Sequence, residues 1–192
     1  MKVRIRSVLV LLLAAAFVAA CGQGDSDPAD PAATGAESTT RAPRFTDQSD
    51  RPLVTYDPCL DIPESAIEEA GLDPLSKSEQ DFPGDDRTFL GCTYITRRVV
   101  GVNILSTNSM LDEYIAKEAG TGQVQELTLD GRRAALLPSV NSSPACALNV
   151  ETEFGYIVVT RNIFDSHPPR DQWCDGIEDM MRIFLRYLPE GA

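Results

Sequence analysis

Five cysteines constrain the fold of this 192-residue chain more than any other feature of its sequence. Cys21 lies near the N-terminus, and the rest of the chain carries Cys59, Cys92, Cys146 and Cys174. In an oxidising compartment an even set of cysteines indicates a disulfide framework. Four cysteines allow three pairings, and free thiols are the alternative. Zinc is disfavoured because no two of the four lie within a few residues of each other, as zinc ligands usually do.

The N-terminal segment gives the fifth cysteine a different role. Three basic residues, Lys2, Arg4 and Arg6, begin the chain. An apolar run over residues 8–20 follows, which is too short to span a bilayer comfortably and is typical of a secretory signal. The small residues before Cys21 resemble the bacterial lipobox, in which the cysteine is lipidated and becomes the new N-terminus. We therefore predict a lipoprotein signal peptide over residues 1–20 and lipidation of Cys21. An ordinary cleaved signal and an uncleaved signal anchor are the alternatives.

Lipidation predicts where the protein is located. A mature lipoprotein carries at least two acyl chains, which anchor it stably without a transmembrane helix. We therefore expect the protein on the extracytoplasmic face of the cell membrane, attached through its N-terminal lipid. The 17 basic and 29 acidic residues of the chain become 14 and 29 once residues 1–20 are removed, a net charge of −15. Such acidity argues against a nucleic-acid partner and against a polybasic membrane-binding surface.

The segment after Cys21 has the composition of a disordered tether. Residues 22–51 contain one aromatic residue and no aliphatic side chain larger than alanine. Such a segment buries too little apolar surface to offset the entropy of ordering it. We therefore predict a tether over residues 21–51, with a root-mean-square reach of roughly 30 Å. The folded domain is expected over residues 52–190.

Residues 52–190 show the patterns of one α+β domain of ordinary size. Strand-like segments occur in pairs over residues 88–106, 123–139 and 146–162, and helical patterns cover residues 63–72, 109–120 and 170–188. The short connections within the strand pairs allow antiparallel but not parallel pairing. We therefore predict a single α+β domain built on an antiparallel sheet of about six strands, with three packed helices and two disulfides.

Local signals place several of the element boundaries. Asp130-Gly131 between two strand-like runs is typical of a tight hairpin turn. Gly71 is suited to end the first helix. Ser109 is the expected N-cap of the second helix, with Asp112 at the capping-box position.

The expected order of elements favours one pairing of the four cysteines. Cys59–Cys92 and Cys146–Cys174 would each join a helix to a strand that is close in sequence. In the chain-entropy account each of these bridges stabilises the fold by about 3–4 kcal/mol. Pairings of Cys59 with Cys146 or Cys174 are the alternatives.

The segments around these cysteines resemble a known family. The segments YDPCLDIPESAIEEAGLDP, LGCTYI, LDGRRAALLP, ACALNV, GYIVVT and WCDGIEDM are similar to those of actinobacterial lipoproteins known as domain of unknown function 3558. The resemblance covers residues 56–187, and the four cysteines of the domain match the four cysteine positions of the family. Tyr94 is a mild departure, because many members have a tryptophan near this position. The resemblance implies an envelope location and a disulfide-stapled build, and no reaction.

The sequence contains no recognisable catalytic set. His167 is the single histidine and lies beside Asp165 and Ser166, but sequence neighbours rarely converge as a hydrolase triad requires. We therefore expect a loop histidine, and we predict no catalytic residue, no metal site and no cofactor.

Clustered carboxylates are weaker candidates for a metal-binding or catalytic site. Asp81, Asp85 and Asp86 form an acidic segment whose spacing does not fit an EF-hand, so a solvated loop is expected rather than a calcium site. Asp85 and Glu126 exemplify a pair that would serve a hydrolase if the fold brought them to about 5–10 Å from each other.

The sequence therefore predicts a non-catalytic binding or accessory module at the cell envelope, expected to be a monomer. Its partner would be an envelope protein or a small ligand, bound through the sheet or through the loops. The basic pairs Arg97-Arg98 and Arg132-Arg133 could bind an anionic partner, although exposed turns commonly carry charge. An envelope-acting hydrolase that uses carboxylates and a structural spacer are the alternative functions.

Overall fold

The structure of this protein is a computed structural model that describes residues 42–96, 100–121, 123–139, 144–164 and 169–192. The predicted signal peptide, Cys21 and the larger part of the predicted tether lie outside these residues. Arg97, Arg98 and the segment from Asp165 to His167 lie outside them as well. The roles given to these residues above therefore stay predictions.

An antiparallel sheet forms the centre of the fold. Its strands are β1 (Ser78–Glu79), β2 (Phe82–Pro83), β3 (Thr88–Ile95), β4 (Val100–Thr107), β5 (Gln125–Leu129), β6 (Arg132–Ser139), β7 (Ala145–Thr152) and β8 (Gly155–Ile163). Their order is β1-β3-β4-β8-β7-β6-β5, and β2 also pairs with β3. The chain crosses from β4 to the far edge and returns through the β5–β8 meander, so that β8 pairs with β4. The prediction of an α+β domain with an antiparallel sheet is confirmed.

The edge strand beside β3 was not predicted. The register of β1 against β3 continues without a shift into that of β2, so the two form one interrupted strand. At the interruption the Asp81 carboxylate accepts the Gly91 N–H at 3.4 Å and takes the place of a backbone carbonyl. Residues 78–83 lack the apolar-polar alternation of a strand, so no sequence pattern predicts this edge strand. Within the described residues, the predicted six strands become seven, one of them interrupted.

The helices are shorter than expected, and one was missed. Their bounds are α1 (Pro58–Asp61), α2 (Glu64–Glu69), α3 (Leu111–Glu118) and α4 (Ile177–Leu185). Gly176 has a left-handed φ of 75°, which separates α4 from the turns before it, so the helix does not begin at Arg170. The described part of the chain thus has four α-helices instead of three.

The N-terminus of α3 differs from the predicted cap. Met110, not Ser109, is the N-cap residue. Its N–H donates to the Glu113 carboxylate at 3.3 Å, and Asp112 instead points to Arg133. Ser109 is buried, because the segment before α3 packs into the domain instead of facing solvent.

One face of the sheet carries the main core, and α1, α2 and α4 lie on it. The buried side chains of this core include Ile67, Leu90, Tyr94, Val102, Ile104, Leu148, Val150, Ile157, Val159, Ile177, Met181 and Phe184. The helix α3 lies on the other face, where the rings of Tyr114 and Tyr156 have centroids 5.9 Å apart.

Two disulfides fasten this arrangement from the core side. Cys59–Cys92 joins α1 to β3, and Cys146–Cys174 joins β7 to the turns before α4. The Cα atoms of each pair are 5.2 Å apart. These are the pairs that the sequence favoured.

Residues 42–53 form an entry arm that packs on the domain, although residues up to 51 were assigned to the tether. Asp47 accepts hydrogen bonds from Thr88 Oγ1 at 2.8 Å and from Asn108 Nδ2 at 2.7 Å. Arg51 forms an ion pair with Glu113 at 2.9 Å. Residues 42–51 therefore belong to the folded part and not to the tether. Polar contacts with Thr88 of β3, with Asn108 after β4 and with Glu113 of α3, which composition does not reveal, hold the arm in place.

Candidate binding cleft beside α2

An open cleft of about 750 Å³ lies beside α2. Its lining residues are Glu64, Glu68, Gly71, Leu72, Asp73, Pro74 and Leu75. The helix supplies the two glutamates, and the connection that follows supplies the other residues. Leu72 is buried and forms an apolar part of the wall.

The backbone around Gly71 gives the cleft its shape. Gly71 has a left-handed φ of 76°, as expected of a glycine that ends a helix. The N–H of Leu72 then returns to the carbonyl of Ile67 at 3.0 Å. This reversal turns the chain away from the axis of α2 and leaves a concave surface between the helix and the residues after it.

Asp73 orders the far wall of the cleft. Its carboxylate accepts the N–H of Leu75 at 3.0 Å and caps a 3₁₀ turn over Pro74–Ser76. The Ser76 hydroxyl donates to the Asp73 carbonyl at 2.6 Å. This turn holds Leu75 away from the domain, and the Leu75 side chain is 95% exposed.

Three carboxylates, Glu64, Glu68 and Asp73, give the cleft a negative charge. Glu64 and Glu68 are four residues apart on α2 and therefore share one side of the helix. Among the described residues, neither glutamate forms an ion pair, and Asp73 forms none. Glu69 differs, because its carboxylate binds Arg186 at 2.5 Å. Like charges at this spacing repel, so a bound cation would relieve an unfavourable interaction.

The charge of Glu64 acts on the core beneath the cleft. Burial, with smaller contributions from the negative charges of Asp57 and Glu64, raises the pKa of Tyr94 to about 12. Lys77, the nearest lysine in sequence, directs its ammonium group to the carbonyl of Cys59. The cleft therefore has an uncompensated negative potential beside an apolar side chain.

This arrangement suits binding better than acid-base chemistry. The side chains of Glu64, Glu68 and Asp73 are exposed to solvent. A carboxyl group that acts as a general acid near neutral pH is usually buried, because removal from water helps it to retain its proton. An exposed cluster next to an apolar residue instead attracts a ligand that has both a cationic and an apolar group.

The carboxylate pair considered from the sequence is not brought together. Asp85 lies between β2 and β3 at one side of the sheet, and Glu126 lies on β5 at the other edge. Five strand spacings separate β3 from β5, which corresponds to about 24 Å across the sheet. Asp86 binds Arg87 at 2.6 Å, and Asp81 belongs to the interrupted edge strand. The expectation that Asp81 lies in a solvated loop is therefore wrong, and Asp85 with Glu126 cannot form a catalytic pair.

The basic pair Arg132-Arg133 on the β5–β6 hairpin already has partners within the protein. Arg132 donates to the carbonyl of Ala192. Arg133 lies among three carboxylates, with Asp112 at 2.8 Å, Glu151 at 3.2 Å and Glu126 at 3.8 Å. These contacts leave little positive potential for an anionic partner at this turn.

Within the described residues, no group of three or more His, Cys, Asp and Glu side chains is placed to hold a metal ion. In the same part of the chain, no helix has the length and apolar character needed to cross a membrane.

The cleft was not predicted from the sequence, and none of Glu68, Asp73 and Leu75 was among the predicted site residues. The segment GLDPLS contains a usable signal. The helix-ending Gly71 is soon followed by the capping pair Asp73-Pro74, and the residue after this pair, Leu75, is apolar. The cleft itself depends on the return of the chain toward α2, which no local pattern specifies.

Comparison with known proteins gives one match. A family model described as "Protein of unknown function (DUF3558)" matches residues 16–186. No curated protein and no solved structure matches the chain.

Proposed function

Because the chain belongs to the DUF3558 family of proteins of unknown function, we propose its function from the cleft beside α2. The protein is a non-catalytic binding module that holds a cationic, partly apolar ligand at the cell envelope. One observation carries this proposal: three exposed carboxylates, none of which has a cationic partner in the part of the chain that the structure describes, surround a cleft whose rim carries the exposed Leu75.

A peptide segment of an envelope protein is the ligand class that fits best. Lysine or arginine side chains would pair with Glu64 and Glu68, and an apolar side chain would contact Leu75. The cleft, at about 750 Å³, has room for more than one side chain. Its openness to solvent suits part of a longer chain better than an enclosed small molecule.

We propose further that lipidation of Cys21 displays the module on the extracytoplasmic face of the cell membrane. The lipobox-like segment before Cys21 and the resemblance to actinobacterial lipoproteins support this location. Two disulfides in a domain of this size also fit an oxidising compartment. The anchor and the cleft are separate claims, and each has its own test.

The cleft is tested with a defined probe. An N-acetylated Lys-Leu-Lys-Leu amide is titrated into the mature chain by isothermal calorimetry, and its Glu-Leu-Glu-Leu counterpart serves as the reference peptide. We expect the lysine peptide to bind more tightly, and added salt to weaken its binding. Glu64→Gln with Glu68→Gln should reduce the affinity about tenfold, which corresponds to about 1.4 kcal/mol.

A matched variant controls for the loss of negative charge. Glu118→Gln removes one carboxylate from α3, on the opposite face of the sheet, and is compared with the single variant Glu68→Gln. It should leave the affinity for the lysine peptide unchanged. Equal binding of both peptides, or equal effects of the cleft and control variants, would show that the cleft is not the site. Hydrolysis of an envelope polymer that depends on Glu64 or Glu68 would favour the alternative of a carboxylate hydrolase.

The anchor is tested by fractionation. The unaltered protein should partition with membranes and carry an acyl mass on Cys21, whereas Cys21→Ser should release it. Retention of the Cys21→Ser protein in the membrane fraction would refute the lipoprotein assignment without affecting the cleft.

A further inference from the structure

Four large apolar side chains are exposed where the chain enters the domain. Phe45 is 43% exposed, Leu53 57%, Phe82 55% and Met110 37%. We call these four residues the entry patch. Two of them belong to the entry arm, one to β2 and one to the N-terminus of α3.

A small hydrogen-bonded cluster brings the four residues to one corner of the domain. The cluster joins Asp47 to Thr88 and Asn108, and the N–H of Thr88 donates to Asn108 Oδ1 at 2.9 Å. Phe45 is two residues before Asp47, and Met110 is two residues after Asn108.

The other two patch residues are tied to the same cluster. Leu53 follows Pro52, whose carbonyl accepts a hydrogen bond from Asn108 Nδ2 at 3.2 Å. Phe82 precedes Pro83, which faces Thr88 across the ladder between β2 and β3. The four apolar side chains therefore have a common support that is fixed by buried polar contacts.

Ion pairs offset only part of the charge around this corner. Arg44 lies among three carboxylates, with Asp57 at 2.5 Å, Glu79 at 2.9 Å and Asp81 at 3.0 Å. Arg51 pairs with Glu113 at 2.9 Å, and Asp47 accepts its hydrogen bonds from neutral groups. The corner therefore keeps a net negative charge, so its attraction to a surface has to come from the four apolar side chains.

The position of the entry patch in the chain indicates its occupant. The described residues begin at Ala42, three residues before Phe45, and residues 22–41 separate this point from Cys21. Even fully extended, those residues span at most about 70 Å. An anchor at Cys21 would keep the entry patch close to the lipid surface, and a tether of this kind makes even weak contacts effective.

We propose that the entry patch docks on the lipid surface that carries the anchor and orients the domain against it. This inference rests on the proposed lipidation of Cys21. Docking of this corner places the entry arm, the β2 edge and the N-terminus of α3 at the headgroups. The apolar side chains insert at the interface, as they do in other peripheral membrane proteins.

Hydrogen-deuterium exchange tests the proposal on the lipidated mature chain in vesicles of phosphatidylcholine, whose headgroup has no net charge. The reference is the mature chain with Cys21→Ser in buffer. We expect backbone amides of residues 42–54 and 78–90 to exchange about fivefold more slowly on vesicles. Phe45→Ser with Phe82→Ser should abolish this protection while the protein stays anchored. The single variant Phe82→Ser serves if the double variant is not fully folded, as checked by circular dichroism.

Ile95→Ser is the matched control. Ile95 is 50% exposed and lies at the opposite end of β3 from Thr88, about 23 Å away. It should leave the protection unchanged. If the protein is anchored but the entry patch shows no protection from exchange, the docking proposal is wrong and the anchor proposal is unaffected. Protection that depends on protein concentration and not on vesicles would show a second copy as the occupant and would also overturn the proposal. Absence of an acyl mass on Cys21 would show separately that the anchor has failed.

Discussion

The guanidinium of Arg44 forms an ion pair with the carboxylate of Asp57, in which Nε lies 2.5 Å from Oδ2. The Asp57 side chain is 4% exposed and the Arg44 side chain 18%. The same carboxylate accepts the N–H of Cys59 at 3.0 Å and so caps α1. This ion pair therefore joins the entry arm to the helix that carries the first disulfide.

Replacement of Arg44 by alanine should destabilise the domain. It leaves the nearly buried carboxylate of Asp57 without its cationic partner, and we expect the free energy of unfolding to fall by about 3 kcal/mol. Urea denaturation at pH 7 measures this loss. Arg182→Ala is the control, because it removes only solvent-exposed ion pairs, which contribute little to stability. Similar losses in both variants would contradict the role of the Arg44–Asp57 pair.

Asp47 should give the stability of the domain a dependence on acid pH. Partial burial acts to raise its pKa, but hydrogen bonds from Ser49, Asn108 and Thr88 outweigh this effect and hold the pKa well below its usual range. A pKa lowered by folding stabilises the fold above the unfolded pKa, near pH 4, and this stabilisation is lost as the pH falls through the folded pKa.

The variant Asp47→Asn isolates this effect. We expect it to lose about 1–2 kcal/mol at pH 7, because hydrogen bonds to a charged acceptor are lost. The difference from the unaltered protein should shrink as the pH falls below about 4. Denaturation curves recorded across this range measure both quantities. A difference that stays constant with pH would rule out the carboxylate as its source.

Removal of the Cys59–Cys92 disulfide should lower the free energy of unfolding by the amount that the chain-entropy account gives. We expect Cys59→Ala with Cys92→Ala to lower the free energy of unfolding by about 3–4 kcal/mol. Thermal or urea denaturation without reductant measures this change. Cys21→Ser in the mature chain is the control, since Cys21 is not part of either disulfide, and it should leave the stability unchanged. An unchanged midpoint in the double variant would be incompatible with a stabilising bridge.

Gly155 should tolerate no side chain. Its φ is 145°, and a Cβ atom would lie 2.2 Å from the carbonyl oxygen of Thr107 and 2.6 Å from that of Ser109. We therefore expect Gly155→Ala to lower the free energy of unfolding by more than about 3 kcal/mol. Gly120→Ala has open space around it and should change the stability by less than about 1 kcal/mol. Thermal unfolding of the two variants provides the comparison.

Replacement of Leu75 should weaken ligand binding while leaving the stability of the domain nearly unchanged. Its side chain is 95% exposed, so Leu75→Ser should change the free energy of unfolding by no more than about 0.5 kcal/mol. The same variant should weaken binding of the Lys-Leu-Lys-Leu amide, because the apolar contact at the rim of the cleft is lost. Calorimetric titration beside a urea melt measures both effects. Unchanged affinity would remove Leu75 from the proposed site.

Local features were predicted well from the sequence. Asp130 and Gly131 have φ values of 50° and 84°, as the hairpin signal Asp-Gly requires. Gly71 ends α2 in the left-handed conformation, also as expected. These features depend on backbone preferences of a few neighbouring residues, which the sequence encodes directly.

Features that depend on distant partners were predicted poorly. The edge strand over residues 78–83 has no alternating pattern, and only its pairing with β3 makes it a strand. The entry arm has the composition of a tether, and its order comes from hydrogen bonds to Thr88 and Asn108. Each of these segments is stabilised by groups that lie forty or more residues away or on a neighbouring strand.

The sequence alone determined the class of the fold and the Asp130-Gly131 turn, and it favoured the cysteine pairs that the structure contains, because these follow from periodicity, turn chemistry and short loops. The tertiary structure decided which strand lies at which edge, and therefore that Asp85 and Glu126 are far apart. It also placed Glu64, Glu68 and Asp73 around one cleft. The physical reason is that burial and charge balance depend on which chain segments meet in space, and local backbone preferences do not specify those meetings.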